Sequence, residues 1–213
     1  MEIAYEKDNK ERVPFEHYLA EYKQADPLEM SARTGAVYDE GKRQFRLNFM
    51  GRAYYVAFPE FAITPEGEAD GLWLPVSMNA AQILMIRFLL EGCTAKGTGK
   101  FLTYREVPWG EVYYRQFSGR CLSRLAFSYG NKLSRFCSAM EKLGAVKLEQ
   151  GDAAYEMEIF DGYRVRFLLW AGDDEFPPSS QILFSDNFAA AFHAEDLVVV
   201  CDVVISSLKA MKD

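Results

Sequence analysis

The sequence is poor in the side chain that most often serves acid–base catalysis, with only two histidines among 213 residues. His17 lies in a stretch predicted to be helical, where a surface position is favoured. His193 precedes the last predicted helix, and the acids that follow it, Glu195 and Asp196, suit a helix N-terminus. No G-x-S-x-G segment is present. A serine or cysteine hydrolase built on either histidine is therefore disfavoured.

Cysteine is also scarce, and its spacing matches none of the common metal-binding motifs. The four cysteines are Cys93, Cys121, Cys137 and Cys201, and none belongs to a C-x-x-C pair of the kind that binds zinc or an iron–sulfur cluster. We predict four reduced thiols packed as small side chains, and no metal site. Reduced thiols are typical of the cytoplasm, which is the expected location.

Long hydrophobic runs are missing as well. The most apolar helical candidate, residues 80–90, is interrupted by Gln82 and Arg87 and is shorter than the ~20 residues that cross a bilayer. Residues 1–10 alternate in charge and contain no apolar signal-peptide core. We therefore expect neither a membrane span nor a secretion signal.

Charge is unevenly distributed, although the net charge is only −7. The balance of Lys and Arg against Asp and Glu is −4 in residues 1–99, +6 in residues 100–147 and −9 in residues 148–213. We expect the basic middle to pair with the acidic end within one fold. A pI near 5.0 argues against nucleic-acid binding.

Two β-hairpins are predicted from alternating apolar residues on either side of a glycine turn. They cover residues 44–58 around Gly51 and residues 153–170 around Gly162, which follows Asp161 in a dipeptide favoured in tight turns.

Helices are predicted where apolar residues recur at helical spacing. A first helix covers residues 13–24, with Pro14 in its first turn. Residues 111–144 are expected to form two or three helices, broken near Gly119 and near Gly130. The most apolar helices are predicted at residues 79–93 and 194–208.

Together these elements predict an α+β fold in which antiparallel hairpins pack against apolar helices. We expect a single domain over residues 1–213, with lobes at 1–99 and 100–213. The order hairpin, loop, apolar helix occurs in residues 44–93 and again in residues 153–208. Two explanations fit this repetition, a pseudo-duplicated hairpin–helix unit and generic α+β construction, of which the second is preferred.

The least generic segment is residues 168–184, in which Trp170 ends a strand and three acids follow. Adjacent carboxylates repel one another and require a cation, a basic partner or solvent. Their spacing differs from that of the EF-hand calcium loop, so a solvated turn or an arginine partner is preferred over a metal. We predict that Asp174 or Glu175 is partly buried against an arginine or a backbone amide cluster and forms one wall of the main pocket.

Arg120 and Arg124 share a helix face at i, i+4 spacing, close to Tyr113, and are the arginines available to bind an anion or an acidic side chain. Pairing within the protein is preferred over a bound anion. The candidate ligand-binding residues are Trp170, Asp173, Asp174, Glu175, Arg120, Arg124 and Tyr113.

Several of these segments resemble a bacterial and archaeal family known as domain of unknown function 3786. Residues 169–184 and 194–197 are similar to its C-terminal motif, residues 101–110 to its middle motif and residues 87–92 to its apolar helix. The resemblance covers residues 44–208. Members occur largely in anaerobes, and some carry an added four-cysteine iron–sulfur segment that this chain lacks. The resemblance implies a cytosolic domain near anaerobic one-carbon or redox metabolism, without assigning an activity or a cofactor.

The leading hypothesis is a non-enzymatic or accessory domain that binds a small molecule or a protein partner near Trp170 and the loop of residues 173–178. An enzyme is the alternative, with Asp174 or Glu175 as acid or base and with or without a divalent cation. A protein-interaction module is a third hypothesis, because aromatic residues make up 15% of the chain.

Overall fold

The computed structural model describes residues 9–67 and 74–211, with side chains from residue 15 onward. It has an α+β fold with two antiparallel sheets, as predicted. The first half contains α1 (Asn9–Gln24), α2 (Pro27–Thr34), β1 (Val37–Asp39), β2 (Gln44–Phe49), β3 (Arg52–Ala57), β4 (Ile63–Pro65), α3 (Leu74–Ser77) and α4 (Asn79–Glu91). Its four strands pair in sequence order as a meander.

The second half begins with an additional strand and ends with the longest helix. Its elements are β5 (Phe101–Thr103), a 3-10 turn (Tyr104–Glu106), α5 (Gly110–Phe117), a π-helical turn (Ser118–Ser123), α6 (Arg124–Tyr129), α7 (Leu133–Lys142), β6 (Val146–Leu148), β7 (Ala153–Phe160), β8 (Tyr163–Trp170), β9 (Ser179–Ser185), α8 (Phe188–Ala191) and α9 (Ala194–Ala210). The strand order β5-β9-β8-β7-β6 is again a meander, with β5 added at the β9 edge.

Both predicted hairpins are confirmed. β2 pairs with β3 around Gly51, and β7 pairs with β8 around Gly162. The two glycines have φ values of 72° and 81°, in the left-handed region that glycine occupies without steric cost. Side chains alternate between buried and more exposed positions along β2 and β3, because one face of the sheet packs on the core.

From the last helix before each sheet onward, the order of elements is the same in the two halves. In each, a helix is followed by a four-stranded meander, a short helix and a long apolar helix. The segments that follow α2 and α7 both read Gly-Ala-Val, and their glycines, Gly35 and Gly144, have φ values of 75° and 77°. The repeated order thus extends beyond the predicted hairpin–helix unit to the helix that precedes each sheet.

The two halves share one hydrophobic cluster. The Phe88 ring on α4 stacks on Phe160 of β7 at a centroid distance of 4.4 Å and on Phe192 at 5.8 Å. The guanidinium of Arg87 on α4 pairs with the carboxylate of Asp196 on α9. Burial raises the pKa of Asp196, and the neighbouring Arg87 opposes that shift.

The predicted start of the first helix at residue 13 is wrong. α1 covers Asn9–Gln24, so Pro14 lies beyond the first turn, where a proline forfeits one intrahelical hydrogen bond. The predicted interruption near Gly119 is confirmed in that α5 ends at Phe117, but a π-helical turn (Ser118–Ser123) links α5 directly to α6. The predicted break near Gly130 is confirmed, since α6 ends at Tyr129.

Within the described ranges, no helix has the length and apolar character needed to cross a membrane.

Candidate functional site

A cleft of about 360 Å³ opens where β8 and β9 meet the chain that follows β5. This mostly helical segment covers residues 104–129 and is called the helical segment after β5. Of the seven predicted site residues, Trp170 alone lines it. Among the described residues that form the cleft there is no carboxylate, lysine, histidine or cysteine. The lining residues are Thr103, Tyr104, Arg105, Tyr114, Phe117, Leu122, Trp170, Ser180, Gln181 and Ile182.

The floor of the cleft is a pair of buried aromatic rings. Phe117 stacks on Tyr104 at a centroid distance of 4.0 Å and an interplanar angle of 4°. The Tyr104 hydroxyl donates a hydrogen bond of 2.9 Å to the carbonyl oxygen of Ala194, and burial raises the pKa of this phenol. The floor is therefore fixed to the first residue of α9.

One wall is Trp170, the last residue of β8, where it pairs with Ser179. A Cβ atom on Gly151 would lie 3.3 Å from Cε2 of the indole, so the Gly151 backbone lies close against the ring. The amide of Asp152 donates to the carbonyl of Leu169 (3.0 Å), and its carboxylate accepts from the amide of Ala171 (2.7 Å). These contacts hold the strand end, and with it the indole, in place.

The mouth of the cleft carries a positive charge. The Arg105 guanidinium carbon lies 3.8 Å from the centre of the Tyr114 ring, within the range of a cation–π interaction. Arg105 is exposed, and its Nε lies 3.5 Å from a carboxylate oxygen of Glu111.

The π-helical turn forms a further part of the cleft through Leu122, whose carbonyl accepts a hydrogen bond of 2.8 Å from the Ser180 hydroxyl. Such turns are frequent at functional sites. The Thr103 hydroxyl is also occupied, since it donates to Glu106 at 2.7 Å. No described residue hydrogen-bonds the Gln181 side chain. Gln181 and Arg105 are therefore among the polar groups available to a ligand.

The acidic loop lies outside the cleft, and Asp173, Asp174 and Glu175 are all exposed. The Asp173 carboxylate accepts hydrogen bonds from the amides of Phe176 (2.7 Å) and Glu175 (2.9 Å), which hold the pKa of Asp173 below its usual range. The predicted partial burial of Asp174 or Glu175 as a pocket wall is wrong, because this turn closes on its own amides. A role of the loop in binding stays a prediction.

Arg120 and Arg124 do not reach the acidic loop either, because the helical segment that carries them packs on α9. Both arginines pair with Asp202 of α9, and Arg124 also donates a hydrogen bond of 2.7 Å to the Ser206 hydroxyl. The expected pairing of the basic middle with the acidic end is confirmed here. Pairing of these arginines with Asp174 or Glu175 is wrong.

The remaining candidates are dispersed. Tyr113 lies in a separate cleft beside Trp109 and His193. His17 is exposed, 3.2 Å from Glu21. All four cysteines are free, two of them buried and two half-buried. No three potential metal ligands of the part of the chain described here converge.

Sequence reasoning missed Arg105, Tyr114 and Gln181. Arg105 belongs to the segment 101–110 that carries the family resemblance, but the resemblance assigns no binding role to this arginine. Tyr114 and Gln181 lie in an ordinary helix and an ordinary strand, and no local signal distinguishes them.

The chain belongs to the family described as Domain of unknown function (DUF3786), whose family model matches residues 26–207. No curated protein and no solved structure matches it. The family description states no activity, so a functional proposal depends on the geometry of the site.

Proposed function

We propose that this protein is a small-ligand-binding domain that holds a flat, negatively charged molecule in the cleft beside Trp170. The observation that carries the proposal is an aromatic cleft with the guanidinium of Arg105 stacked on Tyr114 at its mouth. Aromatic side chains bind the faces and edges of a planar ring. A guanidinium binds carboxylate or phosphate through paired N–H groups.

The size of the cleft supports a small ligand. Its volume of about 360 Å³ is near the lower end of the range of roughly 300–1,000 Å³ typical of small-molecule sites. A molecule of one or two rings with a single acidic group fits these dimensions.

The composition of the cleft supports binding rather than catalysis. General acid–base catalysis requires a titratable side chain within hydrogen-bonding reach of the substrate. The described lining contains no histidine, carboxylate, lysine or cysteine, and of its two tyrosines, Tyr104 already donates its hydroxyl to the Ala194 carbonyl. Asp174 and Glu175, the acids of the enzymatic alternative, are exposed outside it.

A comparison of the two halves gives further support. In the first half, aromatic rings pack between α1 and the end of β3. The Tyr22 ring meets those of Phe58 and Phe61 edge-on, at centroid distances of 5.3 and 5.2 Å, and the Phe15 and Phe61 centroids lie 5.9 Å apart. At the end of β8, the strand with the same place in the order of the second sheet, the Trp170 cleft is open.

We place this activity in the cytoplasm, with an accessory role, because free cysteines are typical of a reducing compartment. A link to anaerobic one-carbon or redox metabolism stays a prediction of the family resemblance.

Titration calorimetry with benzoate and indole-3-carboxylate, each compared with its neutral amide, tests the proposal. We expect both acids to bind at least about fivefold more tightly than the amides, equivalent to roughly 1 kcal/mol. Arg105→Gln should abolish this preference. Trp170→Leu should weaken acid and amide alike, whereas Trp170→Phe should retain most of the affinity.

The matched control is Arg115→Gln, which removes an exposed arginine of the same helical segment that does not line the cleft. Its affinities should equal those of the parent. Equal loss in the Arg105 and Arg115 variants, or no binding of any acid, would contradict the proposal.

A further inference from the structure

A second cleft, of about 320 Å³, lies between the start of α5 and the start of α9. It is lined by Trp109, Tyr113, His193, Ala194 and Glu195. It shares no lining residue with the Trp170 cleft, so a function assigned to it is independent of the one proposed above.

Trp109 is an unusual residue for its position. The residue is 74% exposed, and its φ of 65° lies in the left-handed region. That conformation costs a residue with a Cβ atom about 1–2 kcal/mol, and strain of this kind is concentrated at functional sites. The indole is therefore exposed although burial of its apolar surface would be favourable, and the backbone that carries it is strained.

The loop that presents Trp109 is tightly anchored. A Cβ atom on Gly110 would collide with the carbonyl oxygen of Tyr104, so only glycine lets the chain approach this closely. The Tyr104 hydroxyl is bonded in turn to the carbonyl oxygen of Ala194. The exposed indole and the start of α9 are therefore held in a fixed relation, which lowers the entropic cost of binding between them.

The charges in the cleft favour a cation over an anion. The Glu195 carboxylate lies in the same lining as Tyr113 and raises the pKa of the Tyr113 phenol. The amide of His193, at the start of α9, already donates to the carboxylate of Asp196 at 2.9 Å. The described lining thus contains a carboxylate and no lysine or arginine, which favours a cation.

We propose that this cleft binds an organic cation, an ammonium or guanidinium group that stacks on Trp109 and pairs with Glu195. Tryptophan gives the strongest cation–π interaction of the aromatic side chains, and an adjacent carboxylate adds an ion pair. A cleft of this size accommodates a group as large as a lysine or arginine side chain. The cation has two sources, a free amine or a basic side chain of a protein partner.

Calorimetric titrations of the full chain with tetramethylammonium chloride and with Nα-acetyl-lysine methylamide, at constant ionic strength, test the site. Trp109→Leu and Glu195→Gln should each weaken binding at least about fivefold, equivalent to roughly 1 kcal/mol. Trp109→Gly, which removes the indole and relieves the left-handed strain, should remain folded and lose binding to the same extent. Glu111→Gln, which neutralises an exposed acid near the start of α5 outside the lining, should bind like the parent.

Binding of tetramethylammonium alone identifies a free organic cation, and tighter binding of the lysine derivative identifies a partner's side chain. Comparable binding of both shows recognition of the cationic group itself, so all three results support the proposal. Binding of neither compound, or equal weakening by Glu111→Gln and Glu195→Gln, overturns it.

Discussion

The guanidinium of Arg105 rests on the ring of Tyr114 although Arg105 is exposed to solvent. An exposed cation–π contact contributes only about 0.5–1 kcal/mol. We therefore expect Arg105→Gln to lower the free energy of unfolding by no more than about 1 kcal/mol, as measured by urea denaturation. A larger loss would show that Arg105 is chiefly structural, and binding data on this variant would then need a stability correction.

Arg124 should matter more for stability than Arg120, although both pair with Asp202. The Arg124 side chain is 27% exposed and the Arg120 side chain 54%. Arg124→Leu removes the bond to Ser206 and leaves Asp202 paired only with the more exposed Arg120. We expect it to lower the free energy of unfolding by about 1–3 kcal/mol in urea denaturation. Arg120→Leu should cost less than about 1 kcal/mol. Equal effects of the two substitutions would contradict this ranking.

The Asp173 turn should give a specific pH dependence. Hydrogen bonds from the amides of Phe176 and Glu175 lower the pKa of Asp173 from 3.8, so its carboxylate stabilises the folded state above the unfolded pKa and loses that effect as pH falls through the lower folded pKa. Asp173→Asn keeps an acceptor oxygen but does not titrate. The stability of this variant relative to the parent should rise as pH is lowered from about 5 to about 2.

The control for that series is Asp174→Asn, which removes an exposed carboxylate from the same loop. Its difference from the parent should not follow the same pH profile. If Asp173→Asn and Asp174→Asn give identical profiles, the Asp173 turn does not stabilise the fold.

The double substitution of Asp174→Asn and Glu175→Gln should change the free energy of unfolding by no more than about 0.5 kcal/mol, the usual range for surface positions. Both carboxylates are exposed, and the turn is held by Asp173. Thermal denaturation at neutral pH measures this effect. A loss well above that range would restore the structural role that the sequence indicated for these two acids.

The hairpins and apolar helices were predictable because their signals are local. Glycine turns such as Gly51 and Gly162 and the alternation of apolar residues around them depend on neighbouring positions only. The repeated order of elements was also visible in the sequence. We expect residues 44–93 and 153–208 to superpose as related substructures, and a structural alignment of the two segments tests this.

The site was only partly predictable, because its residues are distant in the chain. Trp170 stood out beside the acidic loop, but Arg105 and Tyr114 line the same cleft only because the chain after β5 packs against β9. The carboxylate cluster was misleading for a physical reason. Asp174 or Glu175 was expected to be partly buried against an arginine or backbone amides, whereas the amides of the turn bond to Asp173 and leave the other two acids exposed.

The most direct test of the account is a crystal structure of the protein with the acid that binds most tightly in the titrations. We predict that its ring lies between Trp170 and Tyr114, with the acidic group within hydrogen-bonding distance of Arg105. A ligand bound elsewhere with the Trp170 cleft empty, or one whose acidic group points away from Arg105, would contradict the proposed function.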